Sequence, residues 1–168
     1  MNRNKPFKDK YECSVIIKFM TAKDNKPRIF IDKRGDWYQD GLKITHRWTY
    51  LENNKNLDID EEGNFFVDEG FGRIFVEVED TPFVIKMIDK KNEKFYLILN
   101  DETVEDLKLG NIWINNENVP YTKVKNNKFV ARFLSPAYYE LMKYAEQDGD
   151  DFYFNSSDKK IKINIKQP

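Results

Sequence analysis

The sequence predicts an α+β fold that is mostly antiparallel β and is built from two similar halves. Short apolar segments alternate with turn signals along most of the chain, which is typical of strands joined by hairpins. One segment near the C-terminus has helical periodicity instead, and two pairs of segments resemble each other across the chain. At 168 residues, the chain is long enough to bury a core without disulfides or metals.

The first strands and the first helix follow from local signals. Arg28–Asp32 and Trp37–Tyr38 are extended segments on either side of a Gly-containing turn. A short helix is predicted from Thr45, because threonine is an acceptable N-cap and Trp48 and Leu51 lie three residues apart on one face. Residues 1–26 are polar overall and are predicted to form a partly disordered N-terminal segment.

The clearest strand is Arg73–Asp80, in which β-branched residues alternate with charged residues and one phenylalanine. Its apolar face is predicted to contact the core, and its polar face to contact solvent. Phe83–Ile88 and Lys94–Leu99 follow, separated by a polar loop. These three segments are predicted to form an antiparallel meander.

A helix is predicted over 136–147. Ser135 is a suitable cap, and proline is tolerated at the first helical position because its missing N–H is unpaired there anyway. Gly149 is expected to end the helix, and a closing hairpin follows. The predicted buried positions recur at helical spacing, and they are Tyr138, Leu141, Met142 and Ala145.

Two segment pairs indicate an internal duplication. Gly35 and Trp37 resemble Gly110 and Trp113, and the segment 75–82 resembles 129–136, with a proline seven residues after each phenylalanine. The chain is therefore divided into 1–26, a first β-rich half at 27–100 and a second β-rich half at 101–168.

Composition excludes several classes of protein. Lys plus Arg is 28 and Asp plus Glu is 29, a net charge of −1, which gives no general attraction to nucleic acid or to an anionic membrane. One cysteine and one histidine cannot supply a usual zinc site. No apolar run approaches a membrane span, and no secretory leader is recognisable, so a cytoplasmic protein without metal or cofactor is expected. It is expected to be a monomer or a homodimer.

Candidate chemical groups each have an ordinary structural interpretation as well. Glu77 and Glu79 share a strand face about 6.5–7 Å apart, so they could bind a cation or act with Asp80 and His46 in a hydrolase-like site. They could equally form a solvated sheet face. The segment Gly70–Gly72 lacks the third glycine of a dinucleotide-binding loop, so nucleotide binding by that route is not expected.

Three segments taken together resemble the bacterial DUF1285 family. The features that carry the resemblance are Gly35 with Trp37 and Gly41, the stretch Glu77–Phe83, and Ala131-Arg132 ahead of a Tyr-Glu-Leu triplet. The resemblance covers roughly residues 26–155. It implies two similar α+β halves, each a curved sheet that is barrel-like or pleckstrin-like with a helix. It also implies that the protein binds a ligand or partner in signalling. No activity is established for the family.

The sequence thus predicts a non-catalytic binding module whose small-molecule ligand or protein partner lies in a cleft between the halves. An enzyme using strand carboxylates with His46, and an edge-pairing interaction protein, are the alternatives. Arg132 has no charged counterpart in the first half, and Glu77 or Glu79 are its expected partners. The predicted ligand-binding residues are Trp37, Tyr38, Arg73, Glu77, Glu79 and Arg132.

Overall fold

The structure is a computed structural model that describes residues 28–68, 70, 72–156 and 159–165. The prediction for the N-terminal segment therefore lies outside the described residues. The first sheet contains six strands, and the helix α1 (Arg47–Asn56) lies between its third and fourth strands along the chain. Its strands are β1 (Ile29–Ile31), β2 (Trp37–Gln39), β3 (Leu42–Lys43), β4 (Leu57–Ile59), β5 (Phe65–Asp68) and β6 (Arg73–Val78).

The second sheet contains seven strands, and a 3₁₀ helix (Leu109–Asn111) lies between its third and fourth strands along the chain. Its strands are β7 (Phe83–Lys91), β8 (Lys94–Leu99), β9 (Val104–Asp106), β10 (Trp113–Ile114), β11 (Pro120–Val124), β12 (Phe129–Phe133) and β16 (Asn164–Ile165). Most pairings are antiparallel, which confirms the predicted fold class.

The two sheets repeat one strand order. The first runs β3-β2-β1-β6-β5-β4, and the second runs β9-β8-β7-β12-β11-β10, followed by β16. In each sheet the first strand pairs parallel with the sixth. The halves therefore divide between β6 and β7, and not at residue 100 as the sequence predicted. The predicted meander is also wrong at this point, because β6 and β7 belong to different sheets.

At the level of strands, one of the two predicted repeat alignments agrees with this topology, although Phe75 lies on the exposed face of its strand and Phe129 on the core face. Phe75 and Phe129 both lie in the sixth strand of their sheet. Trp37 lies in a second strand and Trp113 in a fourth strand, so that alignment is wrong. Its segments share only a turn residue followed by a tryptophan, and many hairpins meet that pattern.

One continuous core joins the halves. The rings of Phe65 on β5 and Phe129 on β12 are stacked with centroids 6.3 Å apart. Beside them, Lys128 Nζ lies 2.6 Å from Asp58 Oδ1, and this hydrogen bond lowers the pKa of the Asp58 carboxyl. Side chains of both halves are therefore in direct contact at this interface. The core includes Ile31, Trp37, Leu57, Val67, Val76, Phe83, Ile85, Leu97, Leu99, Phe129, Ala131 and Phe133.

The helix α2 (Ser135–Met142) is shorter than predicted and packs against β7. Leu141 is fully buried, and Tyr138 and Met142 pack at the edge of the core, as the helical spacing predicted. Ala145 also packs there, but from the strand that follows the helix. Residues after Met142 leave the helix, because they pair in a hairpin whose turn contains Gly149 at φ 65°. A third sheet results, with strands β13 (Ala145–Asp148), β14 (Asp151–Ser156) and β15 (Lys159–Lys162).

Candidate functional site

A cavity of about 570 Å³ opens in the second half, between the edge strand β9, the 3₁₀ helix and the strand β11. The turn 125–128, between β11 and β12, closes one side of it. The volume lies in the range of small-molecule sites in proteins. Its lining is strongly polar, and consists of Glu105, Asp106, Lys108, Asn111, Thr122, Lys123, Val124, Lys125, Asn126 and Asn127.

The cavity exists because the second sheet curls until β9 meets the turn 125–128, although β9 and β11 are not neighbours in the sheet. Both carboxylate oxygens of Glu105 on β9 accept the backbone N–H of Lys125, at 3.1 and 3.0 Å. A hydrogen bond to a charged group is stronger than one between neutral groups, so this contact fixes the turn against the sheet edge.

The Lys125 side chain reinforces the same contact from within. Its ammonium lies 2.7 Å from Asp101 Oδ2 and 2.5 Å from the Thr103 hydroxyl, and it lies 5.1 Å from the centre of the Phe83 ring. The side chains of Asp101 and Lys125 are 8% and 24% exposed, so this pair is largely shielded from water. Shielding makes the ion pair less sensitive to salt than an exposed pair, and the pair ties the turn to the segment before β9.

The backbone of the turn is unusual. Lys125, Asn126 and Asn127 have φ values of 52°, 56° and 68°, three successive non-glycine residues in the left-handed region. Asparagine tolerates this region better than most residues, whereas lysine adopts it at a cost. Strain of this kind persists only where the surroundings hold it, here through Glu105 and Asp101.

The opposite wall is set by Thr122, which is buried and donates its hydroxyl hydrogen bond to the Asn111 carbonyl at 3.4 Å. This contact ties β11 to the 3₁₀ helix. The cavity walls therefore come from four chain segments that are each attached to another by a polar contact. The geometry is suited to holding a small polar molecule by hydrogen bonds.

The residues predicted from sequence lie elsewhere, and they do not all come together. Trp37 is fully buried in the core, and its indole N–H has no hydrogen-bond acceptor among the described residues. A side chain with no exposed surface cannot contact a ligand in this conformation. Trp37 is thus a core residue, and large aromatic side chains are commonly found in the core.

Three of the predicted residues share the outer face of the first sheet. Tyr38 donates a hydrogen bond to Asp32 Oδ2 at 3.2 Å. The Arg73 guanidinium lies 4.3 Å above the Phe66 ring, and Glu77 is exposed on the same strand. With Phe75, which is 50% exposed, they form an open aromatic and charged sheet face.

Glu79 is attached to the β1–β2 turn, where its Oε2 accepts the Lys33 backbone N–H at 2.9 Å. Glu79 therefore holds a turn of the chain just beyond the end of β6, whereas Glu77 lies within that strand. Glu79 thus has a structural contact of its own, whereas Glu77 lies exposed within β6.

Arg132 forms an ion pair with Asp80, at 2.8 Å, rather than with Glu77 or Glu79. Asp80 also accepts the Tyr121 hydroxyl at 3.2 and 3.1 Å, and burial, together with the Asp80 charge, raises the pKa of Tyr121 to about 12. Trp113 stacks on Tyr121 with centroids 5.9 Å apart. Since Asp80 lies between β6 and β7, this cluster fastens the linker between the halves to the second sheet.

His46 is occupied as the N-cap of α1. Its Nδ1 accepts the Thr49 N–H at 3.4 Å and lies 3.1 Å from the Thr49 hydroxyl. Within the described ranges, no group of three His, Cys, Asp or Glu side chains could hold a metal ion. Among the hydrogen bonds and ion pairs of the described residues, His46 contacts Thr49 and none of the strand carboxylates.

Sequence reasoning missed the cavity because its walls are brought together by sheet curvature. The segment 123–128, Lys-Val-Lys-Asn-Asn-Lys, carried one readable signal, since paired asparagines mark a hairpin turn. Nothing in the spacing shows that Glu105, some 20 residues earlier, would meet this turn.

Among the described helices, none is long and apolar enough to cross a membrane.

Comparison with known proteins gives a family and a fold. The family model DUF2944, described as a protein of unknown function (DUF2946), matches residues 27–162. No curated protein matches the chain.

Two solved structures are similar in fold. A crystal structure of a DUF1285 family protein from Silicibacter pomeroyi DSS-3 superposes with a TM-score of 0.66 at 18% identity, over 82% of this chain and 79% of that one. A DUF1285 family protein from Shewanella baltica OS155 superposes with a TM-score of 0.59 at 16% identity, over 70% of this chain and 91% of that one. The predicted resemblance to DUF1285 is confirmed as a shared fold.

Proposed function

The chain belongs to the DUF2944 family, and we propose that it is a non-catalytic binding module that holds a small polar molecule in the cavity of its second half. One observation carries the proposal. The cavity is preformed, because its walls are attached to each other by the contacts of Glu105 and Lys125 before any ligand arrives. A preformed site spends little free energy on ordering its own side chains when it binds.

The strained turn supports the same proposal. Three left-handed residues in succession cost free energy that a simple hairpin of glycine and asparagine would avoid. The charged side chain of Lys125 is required to pin the turn through Asp101. A binding function would explain this strained turn, because binding depends on the exact shape of the cavity.

The cavity also lies beside the contact between the halves. Lys128, at the end of the same turn, pairs with Asp58 of the first half. A ligand bound in the cavity would therefore lie close to a contact that joins the two halves. This arrangement fits a sensor of a small molecule better than an enzyme, for which the only histidine is already occupied as a helix cap.

The experiment is a screen of a polar metabolite library by thermal shift on the full chain, followed by calorimetric titration of each hit. Asn111→Trp places a bulky group in the cavity wall from an exposed position without changing charge. Asn116→Trp is the matched control, because it is exposed in the β10–β11 turn outside the cavity. Hits should bind the wild type and the control, and they should bind Asn111→Trp at least tenfold more weakly. Hits that bind all three proteins equally would refute the cavity as the site.

A further inference from the structure

We propose that the outer face of the first sheet is a docking surface for a second copy of this chain, which packs on it face to face about a two-fold axis. The proposal concerns the first half and does not depend on a ligand in the cavity of the second. It follows from the order of the side chains along β6, together with the rings and charges around them.

The strand β6 presents a cation, an aromatic ring and an anion in order on its outer face. Arg73, Phe75 and Glu77 point away from the side of the core residue Val76, and strand geometry separates each from the next by about 6.5–7 Å. Arg73 and Glu77 are exposed, and Phe75 is 50% exposed. Since β6 is hydrogen-bonded to β1 on one side and to β5 on the other, a partner can reach it only from this face.

Aromatic rings extend the face across the neighbouring strands. In the register of the sheet, Phe66 on β5 is paired with Phe75, and Phe30 on β1 is paired with Glu77. The rings of Phe30 and Tyr38 lie 6.0 Å apart, and both side chains are only partly buried. Aromatic residues and arginine are enriched at protein interfaces, and a contiguous apolar patch marks a surface that a partner covers.

Charge complementarity identifies the partner as a second copy. If the two-fold axis lies in the plane of contact, perpendicular to β6 and through Phe75, the two copies of β6 run antiparallel and Phe75 meets Phe75 of the partner subunit. Arg73 then faces Glu77 of the partner subunit, and the symmetry forms this ion pair twice. Packed sheets lie about 10 Å apart, a gap that an arginine and a glutamate span together.

Both charges are available for this contact. No ion pair within the described ranges includes Arg73 or Glu77, and the Arg73 guanidinium lies 4.3 Å above the Phe66 ring. Asp68 lies opposite Arg73 on β5, but its carboxylate accepts the Gly70 N–H at 2.8 Å instead of pairing with the guanidinium. Stacking on the ring holds the guanidinium at the face, so less side-chain freedom is lost when a partner docks.

The other charges on the face are compatible with this arrangement. Arg28 lies 3.6 Å from Asp40, and Lys128 lies 2.6 Å from Asp58, so each pair is balanced within one chain. Asp68 remains unbalanced. In the dimer its two copies are at least about 13 Å apart along the strands, beyond the Debye length of about 8 Å at physiological salt, so their repulsion is screened.

The size of the face sets the strength of the dimer. Six strands about 4.8 Å apart and the six residues of β6 give a face of about 24 Å by 20 Å, or about 480 Å² in each copy. Stable interfaces bury about 800 Å² per partner, so we expect a weak dimer with a Kd of about 100 μM.

The test is sedimentation equilibrium of the full chain at concentrations from about 10 μM to about 1 mM, which bracket this Kd. Arg73→Glu and Glu77→Arg should each weaken self-association at least about tenfold, because each places like charges opposite one another twice. The double variant should associate as the wild type does. An equimolar mixture of the two single variants should form a heterodimer, because the carboxylates of one face the guanidinium groups of the other.

Lys94→Glu and Glu117→Arg are the controls, because they make the same charge reversals at exposed positions outside the face. Both should associate as the wild type does. Since Arg73→Glu also removes the contact with the Phe66 ring, circular dichroism checks its fold. If it does not fold, Phe75→Gln takes its place and should weaken association as Glu77→Arg does.

A chain that stays monomeric at the highest concentration would overturn the proposal. Single variants that associate as well as the wild type would show that any dimer uses another surface. Two folded single variants that fail to associate when mixed would exclude the two-fold arrangement of β6.

Discussion

At the scale of single residues, Asp80 fastens the linker between the halves to the second sheet. It accepts hydrogen bonds from Arg132 and from Tyr121, both on the second sheet, and it lies in the linker that leaves the first. The side chains of Asp80 and Arg132 are 23% and 25% exposed. An ion pair in this setting is worth more than one on the open surface, where the coupling is about 0–1 kcal/mol.

We therefore expect Arg132→Ala to destabilise the protein, since it leaves Asp80 partly buried without its cation. A double-mutant cycle of Arg132→Ala with Asp80→Ala, measured by urea unfolding, should give a coupling energy of about 1–2 kcal/mol. The exposed pair Lys55 and Glu52 on α1 is the control, and its cycle should give less than about 0.5 kcal/mol. Equal couplings for the two pairs would contradict the anchoring role.

Tyr50 is a second residue that joins the halves. Its hydroxyl donates to the Gly35 carbonyl at 2.9 Å and accepts from Asn100 Nδ2 at 2.8 Å, and burial raises its pKa to about 12 from 10.0. A folded-state pKa above the unfolded value means that the folded protein keeps this proton between pH 10 and 12. The resulting stability is fully present below pH 10 and is lost as the pH rises through about 12.

Tyr50→Phe should cost about 1–2 kcal/mol at pH 8, because Gly35 and Asn100 lose a hydrogen-bond partner. Above pH 10 the wild type should lose stability faster than the variant, so the difference between them should shrink. Urea unfolding at pH 8, 10 and 11 measures this difference directly, and lysine titration cancels because both proteins contain the same lysines. A difference that stays constant with pH would contradict the assignment.

At the scale of elements, one turn design recurs in both halves. Asp32, Asp60 and Asn115 each follow a strand and accept two backbone N–H groups of the turn with one side-chain oxygen. The residue three positions later is left-handed in every case, at Gly35, Gly63 and Asn118. The turns at Asp60 and Asn115 are topologically equivalent, since each joins the fourth and fifth strands of its sheet.

Gly35 and Gly63 allow a matched test of this design. Both have positive φ, at 78° and 88°, but a Cβ on Gly35 would lie 2.9 Å from Asn100 Nδ2 and 3.0 Å from Val84 Cγ2, whereas a Cβ on Gly63 would meet nothing within 4 Å. Gly63→Ala should therefore cost about 1–2 kcal/mol from backbone strain alone. Gly35→Ala should cost at least about 1 kcal/mol more, because it also disturbs the contact between the halves.

Thermal and urea unfolding of the two variants measure this difference. Similar losses for both glycines would show that the turn at Gly35 is not packed against the second sheet as described.

Local signals predicted most of the hairpins and strands, because turn residues and alternation act over a few neighbours. The core and solvent faces of β6 were predicted correctly, with Val76 buried and Glu77 exposed. The end of α2 was not, since strand pairing with β14 overrides the helical spacing of Ala145. The parallel pairing of β1 with β6 was also missed, because 40 and more residues separate partners such as Ile29 and Val76.

At the scale of the whole molecule, the repeat is one of topology more than of sequence. Each half contributes the same strand order, and the two sheets enclose one core. The candidate site could not be predicted for the same reason, since the cavity depends on sheet curvature that brings Glu105 to Lys125. Arg132 was expected to pair with Glu77 or Glu79, but its partner Asp80 lies in a linker that the sequence assigned to a strand.

Because the core is continuous, we predict that the two halves unfold together in one transition, although their topology is duplicated. Neither sheet can expose its inner face without opening the other, so partial unfolding would expose apolar area on both. The fluorescence of Trp37, isolated by Trp48→Phe and Trp113→Phe, reports on the first half. Hydrogen exchange of the β8 amides reports on the second.

Leu99→Ala removes a fully buried side chain of the second sheet and should cost about 2–5 kcal/mol. Val67→Ala makes the corresponding change in the first sheet at a smaller cost, since fewer atoms are removed. In a single cooperative unit, each substitution lowers the stability reported by both probes equally, whichever half carries it. If Leu99→Ala weakened only the β8 amides and left the Trp37 transition unchanged, the halves would be independent domains, and a ligand in the second half would have no packed route to the first.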